Sequence, residues 1–116
     1  MKKRLSKYAI KFDKSCKLWR DDLISNLKTL EHLRIQFNEI LNSRGYVFYR
    51  DILEYLGIPI TKESCLIGWT YDLSEFDYNN GIVFEIYQTG SPDLYVDFNI
   101  DGHVILDDIV RAETQR

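Results

Sequence analysis

A run of oxygen-bearing side chains near the C-terminus is the pattern in this chain best suited to chemistry. It consists of Asp97, Asn99, Asp101 and Asp108, with Gly102 inside the run. Counted from Asp97, the acidic and amide residues fall at positions 1, 3, 5 and 12 and the glycine at 6. This spacing matches a calcium-binding loop, apart from Asp where Glu usually closes the coordination shell. Carboxylate and amide oxygens at alternate positions can converge on a hard cation, and glycine allows the sharp turn between them.

The surrounding residues favour a β-hairpin over a calcium loop at the same place. Apolar and polar residues alternate over residues 94–100, which is the period of a strand, whereas this kind of calcium loop follows a helix. On such a strand Asp97 and Asn99 would share one exposed face without needing an ion. Asp101-Gly102 is also a two-residue hairpin signal, so residues 103–106 would pair back on the strand. We therefore assign no metal and no cofactor, and keep calcium as an alternative.

Aromatic residues provide a second candidate site, for binding rather than catalysis. The chain has eight Tyr and two Trp, and seven of the tyrosines follow Gly45. Because Tyr and Trp are common interface anchors, the candidate partner-binding residues are Trp69, Tyr71, Tyr87, Tyr95, Asp97 and Asn99. The same aromatic residues are also ordinary in the core of a small β module. The two histidines, His32 and His103, lie in no recognised catalytic motif, and we predict that the protein is not an enzyme.

The charge distribution divides the chain at Gly45. Residues 1–44 hold 11 Lys+Arg against 5 Asp+Glu, a balance of +6, and contain no Gly or Pro. Residues 45–116 hold 4 Lys+Arg against 13 Asp+Glu, a balance of −9, with all six Gly and both Pro; the sum is the net charge of −3. We predict a basic amphipathic helical segment over residues 1–44 and an acidic α+β head over residues 45–116.

The first segment has the apolar period of a helix. Apolar residues recur every three or four positions from Leu5 to Leu41. One helix over residues 4–42 would be about 60 Å long, too long for the head to cover, so it either breaks near Asp21-Asp22 into a hairpin or pairs with another chain. We expect homo-oligomerisation through residues 5–41. From Leu23 the apolar steps match a coiled-coil seam made of Leu23, Leu27, Leu30, Phe37 and Leu41, with Arg34 at one core position. Further apolar residues widen this stripe beyond one seam: Leu33, Ile35 and Ile40.

The polar face of this segment carries five basic residues: Arg4, Lys7, Lys11, Lys14 and Lys17. Such a face can contact a nucleic-acid backbone, but charge runs are usually solvated and no groove-reading motif accompanies this one. We favour attraction to the acidic half of the same chain or of a partner subunit. Nucleic-acid binding remains possible but is not favoured.

The second segment predicts a short helix and antiparallel strands. Residues 50–56 form an amphipathic helix that Gly57 ends, and strands follow over residues 82–88 and 94–100, each with one buried face. The predicted class is α+β: an N-terminal long helix or helical hairpin, then a small antiparallel β-meander with one short packing helix. The two cysteines, Cys16 and Cys65, lie far apart and indicate a reducing, cytoplasmic setting. No stretch reaches the roughly 18 apolar residues of a membrane span, so we expect no membrane contact.

Three separated motifs carry a resemblance to known proteins. They are R-G-Y-V-F-Y at 44–49 leading to L-G-I-P-I-T at 56–61, then G-W at 68–69, then V-D-F-N-I-D-G at 96–102. In this order they are similar to the C-terminal module of an uncharacterised family of phage, prophage and conjugative-element proteins from Gram-positive gut bacteria, over residues 43–107. Arg50 departs from the Asn or similar polar residue of that pattern. The resemblance implies a mobile element in a bacterial host, offers no catalytic residues, and further favours the hairpin at residues 97–102.

Three functions are compatible with these patterns. The first is a non-enzymatic protein-interaction module, with a helical oligomerisation segment and a partner-binding head. An alternative is a phage-encoded inhibitor of a host nucleic-acid-targeting defence system, in which the acidic head mimics nucleic acid. A further alternative is nucleic-acid binding through the basic N-terminal segment.

Overall fold

Helices and short antiparallel strands follow one another along the chain, as the α+β prediction required. The structure is a computed structural model that describes residues 5–70, 81–88, 92–100, 102, 104–105 and 109. Its elements are strand β1 (Ile10–Phe12), helix α1 (Leu23–Arg44), strand β2 (Tyr46–Phe48), helix α2 (Tyr49–Leu56), a 3₁₀ turn (Glu63–Cys65) and strands β3 (Gly68–Thr70), β4 (Phe84–Gln88) and β5 (Leu94–Phe98). The predicted α+β class is confirmed.

The strands form two antiparallel sheets. A three-stranded sheet has the order β1-β5-β4, and β2 pairs with β3 in a two-stranded sheet. The strands predicted over residues 82–88 and 94–100 are confirmed as the hairpin β4–β5. Strand β4 begins two residues later than predicted because side chains take the preceding N–H groups. Ile82 N–H donates to Asn38 Oδ1 and Val83 N–H to Asn99 Oδ1, both at 2.8 Å.

The second predicted hairpin, in which residues 103–106 return to β5, is wrong. Strand β5 is the central strand of its sheet, and β1 and β4 occupy both of its edges. Val104 instead forms an isolated antiparallel bridge with Ile67. His103 and Leu106 lie outside the described residues.

The predicted helix over the first twenty residues is also wrong, both as a rod and as one arm of a hairpin. Residues 5–22 contain no helix, and β1 lies there instead, with Ile10 and Phe12 buried and Lys11 exposed. A turn follows in which the Asp13 carboxylate accepts the Ser15 N–H at 2.9 Å. Pairing with β5 gives this segment backbone hydrogen bonds and a buried face, which outweigh a helical spacing of apolar residues.

Helix α1 begins where the sequence predicts a break, at Asp21-Asp22. The Asp22 carboxylate caps the helix by accepting the Ser25 N–H at 3.2 Å. The helix ends at Gly45, whose φ of 95° is left-handed and whose N–H donates to the Leu41 carbonyl at 2.8 Å. Helix α2 ends in the same way at Gly57, as predicted.

The apolar core draws on both sides of Gly45. Phe12 and Leu30 are fully buried in one cluster with Ile52 and Val96. The side chains predicted for the coiled-coil seam at positions 30, 37 and 41 are buried in this core, whereas Leu23 is exposed. Within the described ranges, no helix combines the length and the apolar character that crossing a bilayer requires.

Candidate functional site

A depression between α1 and α2 is a candidate site that the sequence did not indicate directly. It has a volume of about 1020 Å³ and continues into a second depression of about 470 Å³, which shares Leu18, Gln36 and Tyr55 with it. We call the two together the α1–α2 groove. The residues that α1 contributes extend from Lys28 to Arg44, which is about 24 Å at 1.5 Å per residue.

The groove presents apolar side chains to water. The Phe37 ring lies edge-to-face with Tyr55, with the ring centres 6.1 Å apart, and is itself only 6% exposed. Around it Leu18, Ile40 and Tyr55 are 45%, 38% and 49% exposed. Contiguous exposed apolar residues in a concave surface are typical of interaction sites.

Leu18 is held in a conformation that leucine rarely adopts. Its φ is 74°, and among the described residues it is the one non-glycine with positive φ; for an L-residue this costs roughly 1–2 kcal/mol. Hydrogen bonds on both sides impose it. Lys17 N–H donates to the Leu56 carbonyl at 2.8 Å, and the buried Asn26 side chain bonds the N–H and the carbonyl of Arg20 at 3.0 and 2.8 Å. Strain that the surroundings impose in this way is found preferentially at functional sites.

Trp19 adds a second unfavourable feature to the same segment. Its ring packs edge-to-face on Phe12, with the centres 5.5 Å apart. Its indole Nε1 is buried and has no acceptor within the described part of the chain, which costs about 1–3 kcal/mol. Residues 17–20 therefore combine a strained backbone at Leu18 with a buried, unpaired N–H at Trp19, and the Leu18 side chain between them is exposed.

The charges around the groove are unevenly paired. Arg44 and Asp51 form an ion pair across the two helices, with Nη2 and Oδ2 3.1 Å apart. Glu39 on α1 and Glu54 on α2 are exposed, and neither has an ion pair among the residues that the structure describes. Two carboxylates thus line opposite walls of an apolar floor.

Most of the residues predicted to bind a partner make contacts within the fold. Trp69 is 7% exposed, and its Nε1 donates to Asn99 Oδ1 at 3.0 Å. The Asn99 amide also donates to the Gly81 carbonyl at 2.8 Å. Tyr87 and Tyr95 are half-buried partners across β4 and β5. Tyr71 lies outside the described residues.

Asp97 is buried rather than exposed, which corrects the prediction made from strand alternation. It is 7% exposed, and its carboxylate accepts the Ser6 N–H at 2.8 Å, the Ser6 hydroxyl at 2.5 Å and the Phe98 N–H at 2.9 Å. The segment before β1 covers this face of the sheet, which no local pattern could show. Of the other calcium candidates, Asp101 and Asp108 lie outside the described residues. The described part of the chain contains no group of three or more His, Cys, Asp or Glu that could hold a metal ion.

The basic residues predicted for one helical face lie on β1 and its flanking turns. Lys7 Nζ lies 3.5 Å from Glu63 Oε1, and Lys11 Nζ lies 3.4 Å from Asp93 Oδ2. These contacts join the basic segment to the acidic half of the same chain. Lys14 and Lys17 are exposed, and Arg4 lies outside the described residues.

Two tyrosines near these contacts, Tyr8 and Tyr49, have raised pKa values. The Tyr8 hydroxyl donates to Glu63 Oε1 at 2.7 Å, and this hydrogen bond lowers the pKa of Glu63 and raises that of Tyr8. The Tyr49 hydroxyl donates to the Tyr8 carbonyl at 2.5 Å. Burial, with a smaller contribution from the Asp97 carboxylate, raises the pKa of Tyr49 above its ordinary value.

Comparison with protein families gives one finding. A family model matches residues 1–108. The chain belongs to DUF6353, a family of unknown function. No curated protein and no solved structure is significantly similar to this DUF6353 chain. The match extends well before residue 43, where the resemblance noted from the motifs begins, so the basic segment belongs to the DUF6353 region as much as the acidic half does.

Sequence reasoning about this DUF6353 chain missed the groove for two reasons. Leu18 becomes prominent through its backbone conformation, and no residue type or spacing predicts a left-handed leucine. The apolar residue Ile40 carried a usable signal, because it widened the α1 stripe beyond one seam. Tyr55 was counted among the aromatic residues but could not be placed beside α1.

Proposed function

We propose that this protein is a non-enzymatic protein-interaction module that binds an amphipathic helix of a partner protein in the α1–α2 groove. The observation that carries the proposal is Leu18, an exposed apolar side chain in left-handed backbone, clamped by hydrogen bonds on both sides. The fold alone gains little from this arrangement. A partner that buries the leucine would offset the strain.

The dimensions of the groove favour a helix as its occupant. About 24 Å along α1 corresponds to about 16 residues of a second helix. A partner helix with apolar residues at every third or fourth position could place them against Leu18, Phe37 and Ile40.

The charges favour basic residues on the flanks of that helix. Glu39 and Glu54 lie on opposite walls without ion pairs in the described part of the chain. Lys or Arg on either side of the partner's apolar face would meet one carboxylate each. Complementary charges of this kind contribute mainly to specificity and association rate.

The other two functions have less support from the geometry. Of the acidic residues in a nucleic-acid mimic, Asp93 contacts Lys11 and Asp97 is buried against Ser6. For direct nucleic-acid binding, Lys7 and Lys11 already contact carboxylates of the same chain. A phage or other mobile element in a bacterial host remains our proposed context, on the motifs at residues 43–107.

The test uses two synthetic helical peptides of 16 residues with the same apolar face, one flanked by Lys and the other by Glu. Binding is measured by fluorescence anisotropy and mapped by amide chemical shifts. We expect the Lys peptide to bind about tenfold more tightly, a difference of about 1.4 kcal/mol, and to shift the amides of Leu18, Gln36 and Tyr55. The double variant Glu39→Lys, Glu54→Lys should reverse the preference.

Matched variants separate the groove from a general apolar surface. Leu18→Asp should abolish binding, whereas Leu66→Asp, at a leucine 38% exposed outside the groove, should leave it unchanged. Equal affinity for both peptides, unaltered binding by Leu18→Asp, or no binding of either peptide at millimolar concentration would each refute the proposal.

A further inference from the structure

Helix α1 has a second exposed face, which the core does not use and which borders the groove at Lys28 alone. Ile24 and Ile35 are 62% and 42% exposed, and Lys28 and Glu31 lie between them. The four residues follow steps of 4, 3 and 4, so they form one stripe along the helix. We call it the free face of α1. Lys28 also lines the groove, whereas the groove residues Gln36 and Ile40 lie roughly a third of a turn away.

We propose that the free face pairs with the free face of a second copy of this chain, with the two α1 helices antiparallel. The argument is the order of residues along the stripe. A two-fold axis that crosses the helix between Thr29 and Leu30 places position 24 opposite position 35 and position 28 opposite position 31. Ile24 of each copy then contacts Ile35 of the other, and Lys28 of each copy contacts Glu31 of the other. Each of these two contacts occurs twice because the axis is two-fold.

The parallel arrangement is unfavourable for the same residues. It would place Lys28 against Lys28 and Glu31 against Glu31, and like charges at such positions destabilise helix pairs. The stripe therefore selects one orientation of a second copy, and an unrelated partner would have no reason to match it.

The charged groups are available for the antiparallel contact. Glu31 accepts hydrogen bonds from Arg34 Nη2 at 2.6 Å and Nε at 3.3 Å, and this interaction lowers its pKa, so the carboxylate is ionised at neutral pH. A carboxylate has lone pairs for a further donor. Lys28 is exposed and has no ion pair within the described part of the chain. Helices packed 8–10 Å apart bring such side chains within reach of each other.

The contact is small, so the dimer is weak. Four residues from each helix bury less than the roughly 1,200–2,000 Å² of a standard interface. We expect a dissociation constant in the range of about 10 μM to 1 mM. Of the four stripe residues only Lys28 also lines the groove, and the dimer does not depend on the proposed peptide binding.

The test is charge exchange, read by sedimentation equilibrium from about 10 μM to 1 mM. We expect concentration-dependent dimers of the wild-type chain, at least tenfold weaker association of Lys28→Glu and of Glu31→Lys, and recovery in the double variant Lys28→Glu, Glu31→Lys. Circular dichroism confirms that each variant is folded. A wild-type chain that stays monomeric at 1 mM, or a double variant that associates no better than the single ones, would overturn the proposal.

Cross-linking with a short bis-maleimide tests the orientation. A mixture of Ile24→Cys and Ile35→Cys chains should form mixed dimers, and neither variant alone should cross-link above the wild-type background from Cys16 and Cys65. Efficient cross-linking of Ile24→Cys to itself would indicate parallel helices and contradict the two-fold axis described above.

Discussion

Replacing Leu18 by Asn tests whether the left-handed backbone of Leu18 is strained. Asn tolerates left-handed backbone better than leucine does, so the substitution relieves part of a penalty of roughly 1–2 kcal/mol. It also removes apolar contacts. Full burial of a leucine contributes about 1.5–3 kcal/mol, and because Leu18 is 45% exposed we take about half of that, near 1 kcal/mol. The two effects nearly cancel, and we expect the free energy of unfolding to change by less than about 0.5 kcal/mol.

The matched control is Leu66→Asn. Leu66 is 38% exposed and has a φ of −112°, where leucine is not strained. The same loss of apolar burial, without relief of strain, should therefore destabilise the chain by about 1 kcal/mol, or about 4 °C in Tm. The assay is urea unfolding followed by far-UV circular dichroism, since fluorescence of the adjacent Trp19 would also report local changes. If Leu18→Asn costs as much as Leu66→Asn, the reasoning about strain at Leu18 is wrong.

Three further predictions concern contacts that hold the fold together. Asp97→Ala should lower the free energy of unfolding by about 2 kcal/mol, because it removes the acceptor of charge-assisted hydrogen bonds; a double-mutant cycle with Ser6→Ala in urea unfolding should give a coupling of about 1 kcal/mol, and no coupling would contradict the contact. Gly68→Ala should lower the free energy of unfolding by more than about 3 kcal/mol, since a Cβ there would lie 2.1 Å from a backbone oxygen. The control Gly45→Ala has open space around its Cβ and should cost about 1 kcal/mol because of its left-handed backbone. Equal losses of Tm in the two variants would contradict this reasoning. The raised pKa of Tyr49 adds stability that is complete below the ordinary tyrosine pKa of 10.0 and is lost as pH rises towards the folded value, so one phenolate should appear in absorbance only as the chain unfolds, and Tyr49→Phe should remove it.

Local signals in the sequence located the ends of several elements. Asp22 and Gly45 bound α1, and Gly57 ends α2, because caps and left-handed positions depend on one or two residues. The strands of the hairpin β4–β5 followed from the alternation of apolar and polar residues along each of them. These features are decided by neighbours in the chain, and so they could be predicted.

The features that local sequence patterns could not predict depend on contacts between residues far apart in the chain. Residues 10–12 have a helical spacing of apolar neighbours but pair with β5, more than eighty positions away. That pairing occupies the second edge of β5, so that edge is not open to the return predicted for residues 103–106. It also carries Ser6 over Asp97. One non-local strand thus accounts for three of the wrong predictions. In the groove, the backbone conformation of Leu18 depends on hydrogen bonds that its neighbours make to residues far along the chain or in α1. Lys17 N–H donates to the Leu56 carbonyl, and Arg20 N–H donates to Asn26 Oδ1.

The opposite charges of the two halves take on a different meaning once β1 is placed. Lys7 with Glu63 and Lys11 with Asp93 join the halves, but exposed ion pairs stabilise proteins by only about 0–1 kcal/mol. The buried contacts must hold the segment: Phe12 is fully buried, and Asp97 accepts two hydrogen bonds from Ser6. Burial and these hydrogen bonds, more than the ion pairs, therefore hold the N-terminal segment on the sheet. With Lys7 and Lys11 beside carboxylates of the same chain, the groove and the free face of α1 are the surfaces that we propose for binding other proteins.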